Sequence, residues 1–189
     1  MNESSPDCPA ESPGLLADGS VPASPSDLLR RLAELGIQSR SIMHAPVFTV
    51  EEAKALRGQI DGAHIKNLFL RNKKGGMWLL TCLEDRPIDL KALGERIGSG
   101  RLSFGSAERL MTYLGVIPGA VTPFAVINDK GGAVQLLLDQ ALLEIAPLNA
   151  HPLDNAMTTS LEPRDLVRFL EAEGHPPRLL ELGGLARDA

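Results

Sequence analysis

Two apolar runs, Ile65 to Arg71 and Met77 to Leu83, are joined by Asn72-Lys73-Lys74-Gly75-Gly76, and this stretch constrains the fold more than any other. Its glycines supply the positive φ that a tight turn needs, so the runs are predicted to pair as an antiparallel hairpin. The same logic predicts a second hairpin from Phe124 to Ile127 and Ala133 to Leu138, flanking Asn128-Asp129-Lys130-Gly131-Gly132. Helical segments then have a sheet to cover.

Leu28, Leu29, Leu32 and Leu35 recur at helical spacing after Ser26, a predicted N-cap, and Gly36 supplies a stop. Ile37 to Met43 reads as extended, and Thr49 with Glu52 gives the T-x-x-E start of a helix ending near Gly58. Asp89 to Ile97 and Ser106 to Leu114 are predicted helices closed by Gly98 and Gly115. A further strand precedes a last helix from Pro163 to Glu173 that stops at Gly174. Strands that pair with their sequence neighbours imply an α+β fold, with helices around a mixed, largely antiparallel, curved sheet. Residues 1–25 are rich in proline, serine and glycine and read as a disordered tail. The expected domain is 26–182, with a C-terminal tail over 183–189.

At 189 residues and 43% hydrophobic content, the chain can bury a core without disulfides. Its two cysteines, Cys8 and Cys82, are too sparse for a disulfide scaffold or zinc ribbon, and Cys82 in an apolar strand reads as a buried, inert thiol. No apolar run long enough to span a membrane and no signal peptide is visible, so a cytoplasmic protein is expected. A net charge of -5 argues against indiscriminate coating of nucleic acid, and 4% aromatic content against stacking several unpaired bases.

Phosphate-binding glycine motifs and the G-x-S-x-G elbow are absent, and the histidines at 44, 64, 151 and 175 lack metal-ligand spacing, so no cofactor and no metal are expected. Three segments stand out. Gly115-Val116-Ile117-Pro118-Gly119-Ala120-Val121-Thr122-Pro123 is a stiff loop in which Gly119 allows close approach, so that successive N–H groups can face an anion or carbonyl oxygen; an ordinary connection fits the spacing equally well. In His64-Ile65-Lys66-Asn67, strand alternation puts Lys66 and Leu68 on one face and Asn67 on the other. In His151-Pro152-Leu153-Asp154-Asn155, proline forces His151 into extended backbone, where it can exchange a proton or simply be a loop histidine, and Asn155 is expected to fix the loop through side-chain to backbone bonding.

HAPVFTVEEA at 44–53, HIKNLFLRNKKG at 64–75, GVIPGAVTPF at 115–124 and HPLDN at 151–155 together resemble the YbaK/prolyl-tRNA-synthetase-associated editing domain family, over about residues 26–182. Within it the chain looks most like free-standing deacylases that hydrolyse alanine mischarged onto proline tRNA. The resemblance implies that Lys66 is the residue most tied to activity, with Asn67 beside it. It implies further that the loop from Gly119 through Ala120, Val121 and Thr122 to Pro123 contacts the aminoacyl group, that His151 lines the same pocket, and that the substrate's own 2′-hydroxyl helps to activate water. An ester is already activated, so positioned water and oxyanion donors suffice, with no protein nucleophile. Val47, Ala120 and Val121 are candidates for a size sieve that admits alanine and excludes proline.

The expected partner is mischarged tRNA, most simply proline tRNA, with prolyl-tRNA synthetase or an elongation factor as transient partners and a monomer or weak homodimer as the state. Arg71, Lys73 and Lys74, with Lys66 and Arg86, would form a restricted positive surface for it, although Lys73 and Lys74 also suit an ordinary solvated turn. Cysteine, serine or threonine carried on tRNA, or a non-catalytic nucleic-acid- or protein-binding module, are the competing readings.

Overall fold

The computed structural model describes residues 14–44 and 60–183. Helix α1 (Pro25–Glu34) starts earlier than Ser26, because Ser24 and Asp27 cap it reciprocally: Ser24 Oγ accepts from the Asp27 N–H at 3.2 Å, and Asp27 Oδ2 from the Ser24 N–H at 3.0 Å. Pro25, with its fixed φ, then fits the first helical position. The segment ahead of α1 is not a free tail over its described part. Leu16 is buried, the Ala17 N–H donates to Thr112 O at 2.8 Å and the Ala23 N–H to Asn128 Oδ1 at 2.8 Å, so single bonds dock a proline-rich stretch that forms no ladder. Residues 1–13 and 184–189, the helix expected after Thr49, and Val47 lie outside the described residues.

Strands β1 (Ser39–Met43), β2 (Ala63–Asn72), β3 (Met77–Leu83), β4 (Leu102–Phe104), β5 (Val134–Asp139), β6 (Leu148–Ala150), β7 (Met157–Leu161) and β8 (Arg178–Leu180) form one mixed sheet. Its order is β1-β7-β6-β2-β3-β5-β8, with β4 also on β2. The predicted hairpin of β2 and β3 forms, closing at Arg71 opposite Met77. Helices α2 (Leu90–Ile97), α3 (Ala107–Leu114) and α4 (Pro163–Ala172) complete the frame, α2 and α3 ending at left-handed Gly98 and Gly115 as their sequence predicts. Among the described residues no helix is long and apolar enough to cross a membrane.

The second hairpin does not form. Phe124 to Ile127 lies inside a 3-10 helix, Pro123–Asn128, whose side chains are all buried, and β5 runs parallel to β3. Thr122 Oγ1 accepts from the Phe124 N–H at 3.4 Å and Pro123 has no N–H to give a ladder, so the backbone bonds of this run close locally. Asp129 then turns the chain into β5 by accepting from the N–H groups of Ala133, at 3.0 Å, and Val134, at 2.7 Å.

The sheet separates two cores. One face of β2, β3 and β5 packs Phe69, Leu79, Leu136 and Leu138 against α1, α3 and α4, where Phe124 and Phe169 meet edge to face with centroids 5.4 Å apart. The other face packs Leu70, Trp78, Leu80, Cys82 and Leu137 against Leu93 of α2, Leu102 and Leu180. Among the described residues, between its pairing with β6 at Ala63 and His64 and with β4 from Leu70, β2 has a sheet neighbour only on its β3 side. Lys66 and Asn67 flank this opening.

Candidate active site

Asn67 faces the core that holds α1, α3 and α4, and there it joins the sheet to the glycine-proline loop. The Thr81 hydroxyl of β3 donates to Asn67 Oδ1 at 2.7 Å, and Asn67 Nδ2 donates to the carbonyl of Val121 at 2.9 Å. Both ends of the carboxamide are thus engaged, which makes Asn67 a clamp on the loop.

In the loop itself, Gly119 adopts φ +94°, a conformation that disfavours any side chain. The Ala120 N–H closes a turn onto Ile117 O at 3.0 Å. Among the described residues, the N–H groups of Gly119, Val121 and Thr122 have no hydrogen-bond partner. Thr122 is fully buried, whereas Gly119 is exposed and Val121 half-buried, so Gly119 and Val121 offer the amides that a ligand can reach. The expected row of four open amides is therefore shorter, because the turn at Pro118 and Gly119 uses one and the core covers another.

The connection from β6 to β7 brings His151 and Asn155 to the same region. His151 Nδ1 lies 2.9 Å from Met157 O, and because a carbonyl only accepts, Nδ1 carries the proton and Nε2 of the neutral ring holds a lone pair. Burial, above all, holds the His151 pKa below the usual histidine value, and the neighbouring His44 adds to this; the Met157 carbonyl opposes it. The His44 ring has its centroid 6.3 Å from that of His151 and bonds Thr158 Oγ1 through Nε2 at 2.9 Å. That threonine is buried, and its hydroxyl orients the ring. A Cβ built on Gly119 would lie 3.8 Å from Asn155 Nδ2, which places the HPLDN segment across from the loop. Asn155 does not fix its own loop as expected: Asp154 does, accepting from the Ala156 N–H at 2.7 Å, while Asn155 Nδ2 is buried and has no partner among the described residues.

The structure does not gather every predicted residue. Lys66 extends from the opposite face of β2, across from Cys82, and its ammonium donates to the carbonyl of Arg86. Strand alternation separates it from Asn67, so Lys66 and the 119–123 loop do not line one face of the sheet. Arg71 lies roughly 13 Å along β2 from Asn67 at about 3.3 Å per residue, and Lys73 and Lys74 lie beyond it in the turn. Arg86, expected in the same positive surface, is paired with buried Asp139 at 2.9 Å. A cavity of about 900 Å³ opens on the far face beside Leu68, Leu90 and Phe104, and among the described residues no predicted site residue lines it.

Sequence reading assigned no role to His44 and only a loop-fixing one to Asn155. His44 reaches His151 through the pairing of β1 with β7, Met43 opposite Met157, and no local spacing announces that contact. Cys82 offers no nucleophile, since burial pushes its thiol up to about 11. Among the described residues no group of His, Cys, Asp or Glu could hold a metal ion.

Neutral donors on one loop and a neutral histidine on the segment across from it suit hydrolysis of an acyl ester that is already activated, where charge develops on one oxygen. Comparison with known proteins agrees with that chemistry. Residues 44–169 match the aminoacyl-tRNA editing domain, and the chain belongs to this family of aminoacyl-tRNA deacylases, as its four motifs imply. The prolyl-tRNA editing protein ProX of Acetoanaerobium sticklandii is 38% identical over 156 residues, covering 82% of this chain and 95% of its own. Prolyl-tRNA synthetase associated domain-containing protein 1 of Bos taurus is 41% identical over 158 residues, 81% of this chain and 92% of its own. A solved structure described as a candidate trans-editing enzyme for prolyl-tRNA synthetase superposes with a TM-score of 0.65 at 20% identity, covering 85% of this chain and 97% of that one, and shares the fold.

Proposed function

We propose that this protein hydrolyses alanine mischarged onto proline tRNA, acting in trans. The observation that carries the reading is the loop clamped by Asn67, which offers the amides of Gly119 and Val121, with the segment that holds His151 and Asn155 brought across from it at Asn155. Prolyl-tRNA editing, the role named for the 38% identical relative, supports proline tRNA as the carrier. In the reaction a water oxygen bonds to the ester carbonyl carbon, the carbon's bond to the ribose oxygen breaks, and a proton passes to that oxygen. The loop amides stabilise the charge gathering on the carbonyl oxygen. The substrate's 2′-hydroxyl orients the water, as the family resemblance implies, and His151 Nε2 accepts a hydrogen bond from it.

Alanine against proline is a question of size. A proline-activating pocket cannot strongly exclude a smaller side chain, and a second pocket closed by Ala120 and Val121 excludes the larger ring. Lys66 serves the tRNA through the opening beside β2, where its ammonium exchanges the Arg86 carbonyl for a phosphate oxygen, a stronger charge-assisted partner. Such work belongs where translation runs, in the cytoplasm, with the synthetase or an elongation factor as a transient partner.

The test follows ester loss from alanyl-, seryl- and prolyl-tRNA, all built on proline tRNA. Alanyl ester is expected to be lost fastest, with prolyl ester spared by at least tenfold. Faster loss of the seryl ester would move the substrate, and no loss from any would end the reading. In the same assay Lys66→Ala should slow the full tRNA while leaving alanyl-adenosine, which lacks the phosphate, unchanged. Equal slowing of both would put the ammonium at the ester instead.

A further inference from the structure

Asn155 is the one buried side-chain donor whose need is unmet among the described residues: Nδ2 is enclosed, with the residue 9% exposed, and has no partner. In the same loop Asp154 is bonded to the Ala156 N–H and His151 to Met157 O. It is also held in a costly shape, since Leu153, a non-glycine residue, adopts φ +69°. A buried polar group is ordinarily paired, so a donor left open and aimed at a site implies a partner that arrives with the ligand. Across from Nδ2 stands the bare Cα of Gly119, where a Cβ would lie 3.8 Å away, at ordinary contact distance.

This deepens the deacylase reading and rests on it. We propose that Asn155 Nδ2 donates to the carbonyl oxygen of the aminoacyl ester, completing an oxyanion site with the amides of Gly119 and Val121. Donors from two separate loops then converge on one oxygen, and none is charged. Such an arrangement favours an oxygen that is neutral in the substrate and negative at the transition state. The bare Cα of Gly119, already required by its φ of +94°, leaves room beside Nδ2 for that oxygen.

Deacylation of alanyl-tRNA by Asn155→Ala, Asn155→Asp and Asn155→Leu, together with their melting temperatures, tests the assignment. Loss of one oxyanion donor should lower kcat by roughly 10² to 10³-fold. Leucine has a similar size and no unmet donor, so Asn155→Leu should melt at or above the wild-type temperature while losing that activity. A structural asparagine would give the opposite pattern, activity falling only as far as stability falls, and that result overturns the proposal. Rates within threefold of wild type in any of the three variants also overturn it. If the wild-type protein hydrolyses no tRNA ester at all, the deacylase reading has failed; if it does and the variants match it, only the role of Asn155 has failed.

Discussion

His151 shows how one side chain receives its chemistry from its surroundings. Its Nδ1 proton is committed to Met157 O, and burial disfavours the charged ring, so at neutral pH the ring presents a lone pair at Nε2. The sign of the consequence follows from linkage. A histidine whose folded pKa lies below its unfolded value binds fewer protons when folded, so its stabilising contribution is complete above about 6.5 and is lost as pH falls through the folded value. Activity should accordingly be level around neutral pH and fall on an acid limb with its midpoint below the usual histidine value. In His151→Asn that limb should vanish along with most of the rate. A pH–rate profile of alanyl-tRNA hydrolysis by both proteins checks this, and an acid limb kept by the variant would assign the titration to another group.

Between elements, the decisive contact is the chain from Thr81 through Asn67 to Val121, which ties β3, β2 and the loop together. Asn67→Ala leaves the Val121 carbonyl and the Thr81 hydroxyl without their partner, at a cost of about 1–3 kcal/mol. For a chain of this size each kcal/mol lowers the melting temperature by roughly 2–4 °C. Thr81→Val removes only the far link and should cost less. Deacylation should fall more in Asn67→Ala than in Thr81→Val, because only the former releases the loop amides. Equal rates in the two variants, measured well below their melting temperatures, would mean that the loop holds its shape unaided. The sequence displayed the partners of this clamp unevenly. Alternation along β2 already separated Lys66 from Asn67, and the glycine turn at 75–76 fixed the hairpin that sets Asn67 opposite Thr81. The link to Val121 was not legible, since it joins residues far apart along the chain. Nor was the 3-10 helix at Pro123–Asn128, because a short apolar run has the same composition in a strand and in a buried turn, and only the cap at Thr122 distinguishes them. Strands β4, β6 and β8 are three residues each, too short for alternation to appear.

At the scale of the whole molecule, an acidic protein with a net charge of -5 must still meet a polyanion. Several of its cations are already spent internally: Arg86 on buried Asp139, and Arg31 and Lys130 on Glu173. Lys73 and Lys74 stand exposed at the β2–β3 turn, and among the described residues neither they nor Arg71 form an ion pair. If tRNA lies along β2 from the site toward that turn, these are the residues that reach its backbone. Each phosphate contact contributes about 0.7 to 0.9 to the slope of log affinity against log salt, so a few contacts give a shallow but measurable dependence. The double variant Lys73→Ala, Lys74→Ala should reduce that slope by roughly 1.5 in a titration of uncharged proline tRNA, weakening binding most at low salt. An unchanged slope would take the hairpin out of the interface and leave the opening beside Lys66 as the place where the acceptor end approaches.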